Sequence, residues 1–271
     1  MKPRGLSALA LLATSLSAVA APPPESTSLQ IVLPDRHISV TLDELRARLT
    51  VVTVTVDDPV YRSRKTYDGF DLRDVLALAG PLPPDADELV FQAKDGYAPV
   101  APASALKEHR AILAFRVHGQ SRDWEPVPQG KAMISPGPYY VVWEEGKNLP
   151  ESLPWPYQLV GIEAVSFARA YDRLFPKGVA DQSPVKRGFL RFKDDCIRCH
   201  SINLQGGDLG PELNTPKSIL EYWDPKTARK FIRSPSSFRA RSKMPPFTRL
   251  TESDLDDLFA YLDFMKAHKT P

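Results

Sequence analysis

From Leu29 to about Ala170, apolar residues mostly follow a period of two, interrupted by short helical stretches. Residues 50–56 are β-branched at nearly every position, which predicts a strand well buried in a sheet. Thr41 and Glu44 have capping-box spacing ahead of Leu45 and Leu49 and predict a short helix. Asp68-Gly69 reads as a turn, after which Leu72, Val75, Leu76 and Ala79 mark one face of a helix ending at Gly80. Further strands are expected at 88–93, 111–118, 138–143 and 157–167. Short helices scattered among strands predict an α+β mixed-sheet domain rather than a regular βαβ array.

The stretch 172–184 is polar, carries Pro176, Gly178 and Pro184, and reads as a linker. Beyond it the periodicity becomes helical. Gly188, Phe192 and Cys196 recur at every fourth position, one stripe of a helix. Near the end, Thr251 and Asp254 can form a cap flanked by a Leu250/Leu255 staple. Leu255, Leu258, Phe259, Leu262 and Met265 then make a buried face with Tyr261 at its margin. The expected organisation is two domains, with residues 21–183 forming the α+β domain and its linker, and residues 184–271 an all-α domain.

Composition narrows the function classes. With 42% hydrophobic and 25% charged residues in 271, a buried core is expected and wholesale disorder is not. A formal net charge of +2 excludes a uniformly basic binder of nucleic acid. The charge is unevenly spread, however: 17 basic against 22 acidic residues over 21–183, and 16 against 11 over 184–271. Lys2 and Arg4 precede an apolar run from Leu6 to Val19, and Ala18-Val19-Ala20 supplies a small-x-small cleavage pattern. Residues 1–20 are therefore expected to be an export signal cut after Ala20. The run is shorter than the roughly 20 apolar residues that span a bilayer, so stable membrane insertion is not expected and a periplasmic location is.

The only two cysteines form Cys196-Ile197-Arg198-Cys199-His200. Thiols at this spacing can each add to one vinyl group of a haem, with the adjacent histidine held beneath the iron. A redox dithiol needs no histidine there, a zinc site needs about four ligands, and a local disulfide would leave the histidine incidental. Of the four methionines, Met1 starts the signal, Met133 lies in the front region and Met265 on an apolar helical stripe; Met244 sits in a proline-stiffened loop. His268, near the terminus, is an outside candidate for an iron ligand.

Together these residues resemble the class I cytochromes c over about 184–271. The resemblance sets Gly188 and Phe192 against Leu258 and Tyr261 where the first and last helices cross. It matches Gly210-Pro211 to a glycine-proline pair whose carbonyl would orient His200. It matches Met244-Pro245-Pro246-Phe247 to the loop that brings a methionine sulfur to the iron. It implies one covalently bound haem c, with His200 and Met244 as axial ligands.

The front region is similar, over about 28–170, to the sulfite-oxidase-type molybdopterin-binding domain. The likeness rests on residues 66–76 (Thr-Tyr-Asp-Gly-Phe-Asp-Leu-Arg-Asp-Val-Leu) and on Lys94-Asp95-Gly96-Tyr97. That family ligates molybdenum through a cysteine near the end of an early strand. Here the neighbourhood is Val56-Asp57-Asp58-Pro59 and no cysteine precedes Cys196, so no molybdenum cofactor is expected. Asp57-Asp58 reads as a solvated strand end, and His37, His109 and His118 as satisfied residues rather than ligands. The leading expectation is a periplasmic carrier, or electron-transfer subunit, that passes single electrons to a redox partner with an acidic docking surface. The alternatives are an enzyme whose front domain oxidises a small substrate and a haem-containing docking or sensor module.

Overall fold

The computed structural model describes residues 28–120, 124–129, 132–144, 149–150 and 153–270; the expected signal segment lies outside them. The front part begins with strands β1 (Leu29–Leu33) and β2 (Arg36–Val40), then helix α1 (Leu42–Arg48). Strands β3 (Val52–Asp58) and β4 (Ser63–Asp71), helix α2 (Leu72–Ala77), strands β5 (Glu88–Ala93) and β6 (Val100–Pro102), helix α3 (Ala105–Glu108) and strand β7 (Ala111–Val117) follow. After a small hairpin, β8 (Val127–Gln129) with β9 (Ala132–Ile134), come β10 (Tyr139–Trp143) and β11 (Tyr157–Val165).

Nine of these strands form one sheet in the order β2-β1-β11-β10-β7-β4-β3, with β5 on β11 and β6 on β5. Among the described residues only β1 and β11 run parallel; every other pair in the sheet is antiparallel. Strand β10 is buried at every position, as a central strand covered on both faces should be. Its period of two sends Tyr139, Val141 and Trp143 into the core beneath α2, and Tyr140 and Val142 into the cluster on the opposite face.

Helix α1 starts at the expected capping box, with Glu44 N–H donating to Thr41 Oγ1 at 3.3 Å and Thr41 N–H to Glu44 Oε2 at 2.8 Å. The expected turn at Asp68-Gly69 is corrected: both residues lie inside β4. Asp68 is buried and satisfied across the ladder, accepting from Thr53 Oγ1 (2.7 Å), Arg116 Nε (2.7 Å) and His118 Nδ1 (2.8 Å). The β4–β7 register shifts between Asp68 and Gly69. At Gly69 the β7 backbone comes so close that a Cβ would stand 2.6 Å from the Leu113 carbonyl oxygen. A turn-forming pair serves here as a bulge.

Asp58 is likewise no solvated strand end. It is 2% exposed and accepts from the backbone N–H of Val60 (2.7 Å) and Tyr61 (2.9 Å) and from the Tyr67 hydroxyl (2.6 Å).

Asp71 caps α2 through Arg73 N–H (3.0 Å) and is held by the guanidinium groups of Arg73 (2.7 Å) and Arg110 (3.1 Å). Arg73 foremost, then Arg110, lowers its carboxyl from 3.8 to about 2 against the opposing effect of burial. A depressed acid contributes stability that is complete above its unfolded value and lost as pH falls through the folded one. Asp71→Asn is therefore expected to cost roughly 2 kcal/mol at neutral pH. The loss should vanish near pH 2. Urea unfolding followed at both pH values checks this, and an equal loss at both would refute it.

From α4 (Phe167–Ala170) onward the main regular elements are helices set in long loops: α5 (Pro184–Arg191), a π-helical turn (Phe192–Cys196), α6 (Pro225–Arg233), α7 (Pro235–Phe238) and α8 (Glu252–Lys266). Helices α5 and α8 cross with Gly188 against the Asp257 backbone, where a Cβ would meet the carbonyl carbon at 2.5 Å and Tyr261 Cβ at 2.8 Å. Around the crossing lie Phe189, Phe192, Leu255, Leu258, Leu262 and Met265, all buried in one core. The stretch between α4 and α5 has no regular element, but Leu174 is fully buried and its carbonyl accepts from the Tyr261 hydroxyl at 2.8 Å. Among the described residues no helix is long and apolar enough to cross a membrane.

Candidate functional site

Helix α5 starts at Ser183, whose hydroxyl accepts from Lys186 N–H at 3.2 Å, with Pro184 at the first helical position. At Phe192 the helix widens by one residue, and Ile197 N–H bonds the Phe192 carbonyl (2.9 Å) rather than that of Lys193. The four-residue stripe read from Gly188, Phe192 and Cys196 thus passes through a register change just before the two thiols. Phe192 packs on Tyr261 with ring centroids 5.6 Å apart, so the expected meeting of Gly188 and Phe192 with Tyr261 is present.

Cys196, Cys199 and His200 stand on one turn, closed by Cys199 N–H and His200 N–H donating to the Cys196 carbonyl (3.1 and 2.9 Å). Both cysteines are free thiols. Burial pushes the Cys196 thiol up to about 12 and the Cys199 thiol up to about 11, so both are protonated at neutral pH. The chain then returns across this turn. Gly207 N–H donates to the Ile197 carbonyl (2.7 Å) and Gly210 N–H to the Cys199 carbonyl (2.7 Å), while Ser201–Ile202 pairs with Gln205–Gly206.

His200 Nδ1 lies 2.8 Å from the Pro211 carbonyl oxygen. A carbonyl can only accept, so the proton is on Nδ1 and Nε2 carries the free lone pair. Burial lowers the His200 pKa, the Pro211 bond opposing it, which favours the neutral imidazole. Gly210 lies against the ring; a Cβ there would meet Nδ1 at 2.7 Å and Nε2 at 2.9 Å. Two thiols, a neutral imidazole of fixed tautomer and an apolar core behind them suit a covalently attached haem.

Met244 is half-buried in the loop between α7 and α8, its N–H donating to Ser242 Oγ at 3.2 Å. Phe247 anchors the loop through its N–H to the Ile232 carbonyl (3.0 Å) and packs on the C-terminal core. Arg249 pairs with Asp195, the buried acid preceding Cys196, and so ties the methionine loop to the motif. Sequence reasoning missed this pair, because neither residue stands in a recognisable spacing with the other. The remaining candidates are engaged elsewhere. Met265 is 2% exposed in the core. His268 stacks on Phe264 at 4.0 Å, and His37 bonds Gln30 at 2.8 Å. His118 bonds Asp68, and His109 stands edge-on to Trp143. Among the described residues no cluster of three His, Cys, Asp or Glu could hold a metal ion.

Residues 183–262 match the family model described as cytochrome C oxidase, cbb3-type, subunit III. The C-terminal part is thus a cytochrome c domain. No match is found among curated proteins. A solved structure with some likeness is the sulfane dehydrogenase SoxCD from Paracoccus pantotrophus, at 18% identity and a TM-score of 0.37. The alignment covers 54% of this chain and 40% of that one, an overlap too slight to transfer any property.

Proposed function

We propose that this chain is an exported electron-transfer protein that holds one covalently attached haem c and exchanges single electrons with a redox partner in the periplasm. The observation that carries this reading is the His200 geometry within a Cys-x-x-Cys-His turn: Nδ1 bonded to Pro211, Nε2 left with its lone pair. In this reading residues 1–20 are the cleaved signal, 21–183 the front domain and 184–271 the haem domain. Cys196 and Cys199 tether the haem, His200 and Met244 are its axial ligands, and the Pro211 carbonyl holds the proton on Nδ1. A haem bound there supplies a one-electron iron couple. The chain keeps the imidazole neutral and oriented, and the core around Phe192, Ile197 and Leu258 keeps water from it.

The front part does not fit a molybdenum cofactor. No thiol is available there, and both Asp58 oxygens are taken by Val60, Tyr61 and Tyr67. Exposed Arg239, Arg241 and Lys243 precede Met244, which supports a partner with an acidic docking surface.

Peptide mass analysis tests the haem: the fragment spanning Cys196 and Cys199 should carry the added mass of one haem, and an unmodified fragment overturns the reading. Stopped-flow reduction by an acidic redox protein tests the partner. The rate should fall steeply as ionic strength rises from about 0.01 to 1 M, where the Debye length shrinks from roughly 30 to 3 Å. A flat profile refutes the acidic surface.

A further inference from the structure

The loop joining β5 to β6 belongs to the front sheet by chain order, yet it rests on the thiol-bearing turn more than a hundred residues away. Ala98 N–H donates to the carbonyl of Arg198, the residue just before Cys199, at 2.9 Å. Asp208 N–H donates to the Gly96 carbonyl at 3.3 Å. Gly96 has φ +84°, where a side chain is strained, and a Cβ there would stand 2.8 Å from Asp208 Cγ and 3.3 Å from Leu209 N, so it would also have to displace the Asp208 side chain.

Between these backbone contacts sits Tyr97. Its hydroxyl accepts from the Arg198 guanidinium, which also reaches the Asp194 carbonyl. A second layer holds the loop in turn. Asp95 Oδ1 accepts from Tyr97 N–H (3.1 Å), and Asp95 Oδ2 accepts from Gln129 Nε2 (2.9 Å). The next strand sends Val100 into the C-terminal core, and Glu88 of β5 pairs with Lys193.

We propose that the 95–98 loop is one wall of the haem site, in which the Tyr97 ring excludes water from the thiol-bearing edge and raises the haem's reduction potential, while its bond to Arg198 only helps to seat the ring. The inference deepens the electron-transfer reading and rests on it. Ferric haem carries one more positive charge than ferrous, so shielding the site from water disfavours the ferric state and raises the potential. The loop also reaches the proximal side, since Gly96 bonds Asp208, two residues before the Gly210 that lies against His200.

The test is a spectroelectrochemical titration of the haem-loaded, full-length chain carrying Tyr97→Ala or Tyr97→Phe. Opening the wall with Tyr97→Ala should shift the one-electron equilibrium at least tenfold toward the ferric state, about 59 mV. Tyr97→Phe keeps the ring and should shift it less than threefold. Gly96→Ala supplies the same reading should Tyr97→Ala fail to accumulate. If the loop only glues the two parts together, the unfolding midpoints fall while every potential stays within twofold of wild type, and the proposal is overturned. The haem mass on the wild-type peptide separates the two failures. An unmodified wild-type peptide defeats the electron-transfer reading and with it the wall. A modified peptide with unmoved potentials defeats the wall alone.

Discussion

Gly188→Val is expected to leave the C-terminal part at most marginally stable at room temperature. At this crossing even a Cβ has no room beside the Asp257 carbonyl and Tyr261. Valine adds two further carbons, so α5 and α8 must separate. Separation would open the layer of Phe189, Phe192, Leu258 and Leu262, where small gaps forfeit much of the dispersion energy. It would also break the bidentate Arg187–Asp257 pair (both bonds 2.7 Å) and the Arg191–Asp254 contact (2.6 Å). Overpacking a core commonly costs about 1–3 kcal/mol, and the added losses bring the expected figure to roughly 4–5 kcal/mol. That rivals the whole stability of a small domain, about 5 kcal/mol at the lower end. Urea unfolding followed by circular dichroism checks it. A midpoint equal to wild type would show that the crossing is not what holds this part together.

Replacing both thiols, Cys196→Ala with Cys199→Ala, is expected to abolish covalent pigment completely, since the chain has no other cysteine. Met244→Ala should behave differently. Covalent haem should remain, because the proposed tether lies on the Cys196–His200 turn, but the sulfur-to-iron absorption at the red end of the oxidised spectrum should disappear. The potential falls as well, since thioether ligation raises it. Denaturing acid extraction reads the first result and the oxidised absorption spectrum the second. Extraction-resistant pigment in the double cysteine variant would contradict the attachment site. Persistence of the red band in Met244→Ala would move the ligand elsewhere. Neither other methionine among the described residues is well suited: Met265 is 2% exposed in the core and Met133 is 64% exposed on the front hairpin.

Much of this protein was legible before any coordinates. The Thr41 and Thr251 caps, the buried faces of α2 and α8, and the strands at 88–93, 111–117 and 139–143 all rest on hydrogen bonds or periodicities a few residues long. Such signals are written in neighbouring letters, so sequence alone carries them. The thiol pair and its histidine are local in the same sense, because their chemistry needs a fixed short spacing.

Features that depend on distant partners were not legible. Asp68-Gly69 has the composition of a turn, and only the approach of β7 and the side chains of Thr53, Arg116 and His118 makes it a bulged strand. Asp58 looked exposed because nothing nearby in sequence announces Tyr67 as its cover.

The amino-acid order therefore determined the local elements, the change from a sheet region to a helical one, and the Cys-x-x-Cys-His motif. Tertiary structure alone decided that Arg249 locks onto Asp195 and that Tyr97 lies on the thiol-bearing turn. Contacts between segments far apart in the chain leave no period and no spacing in it. They exist only once packing has brought two surfaces together and excluded the water between them.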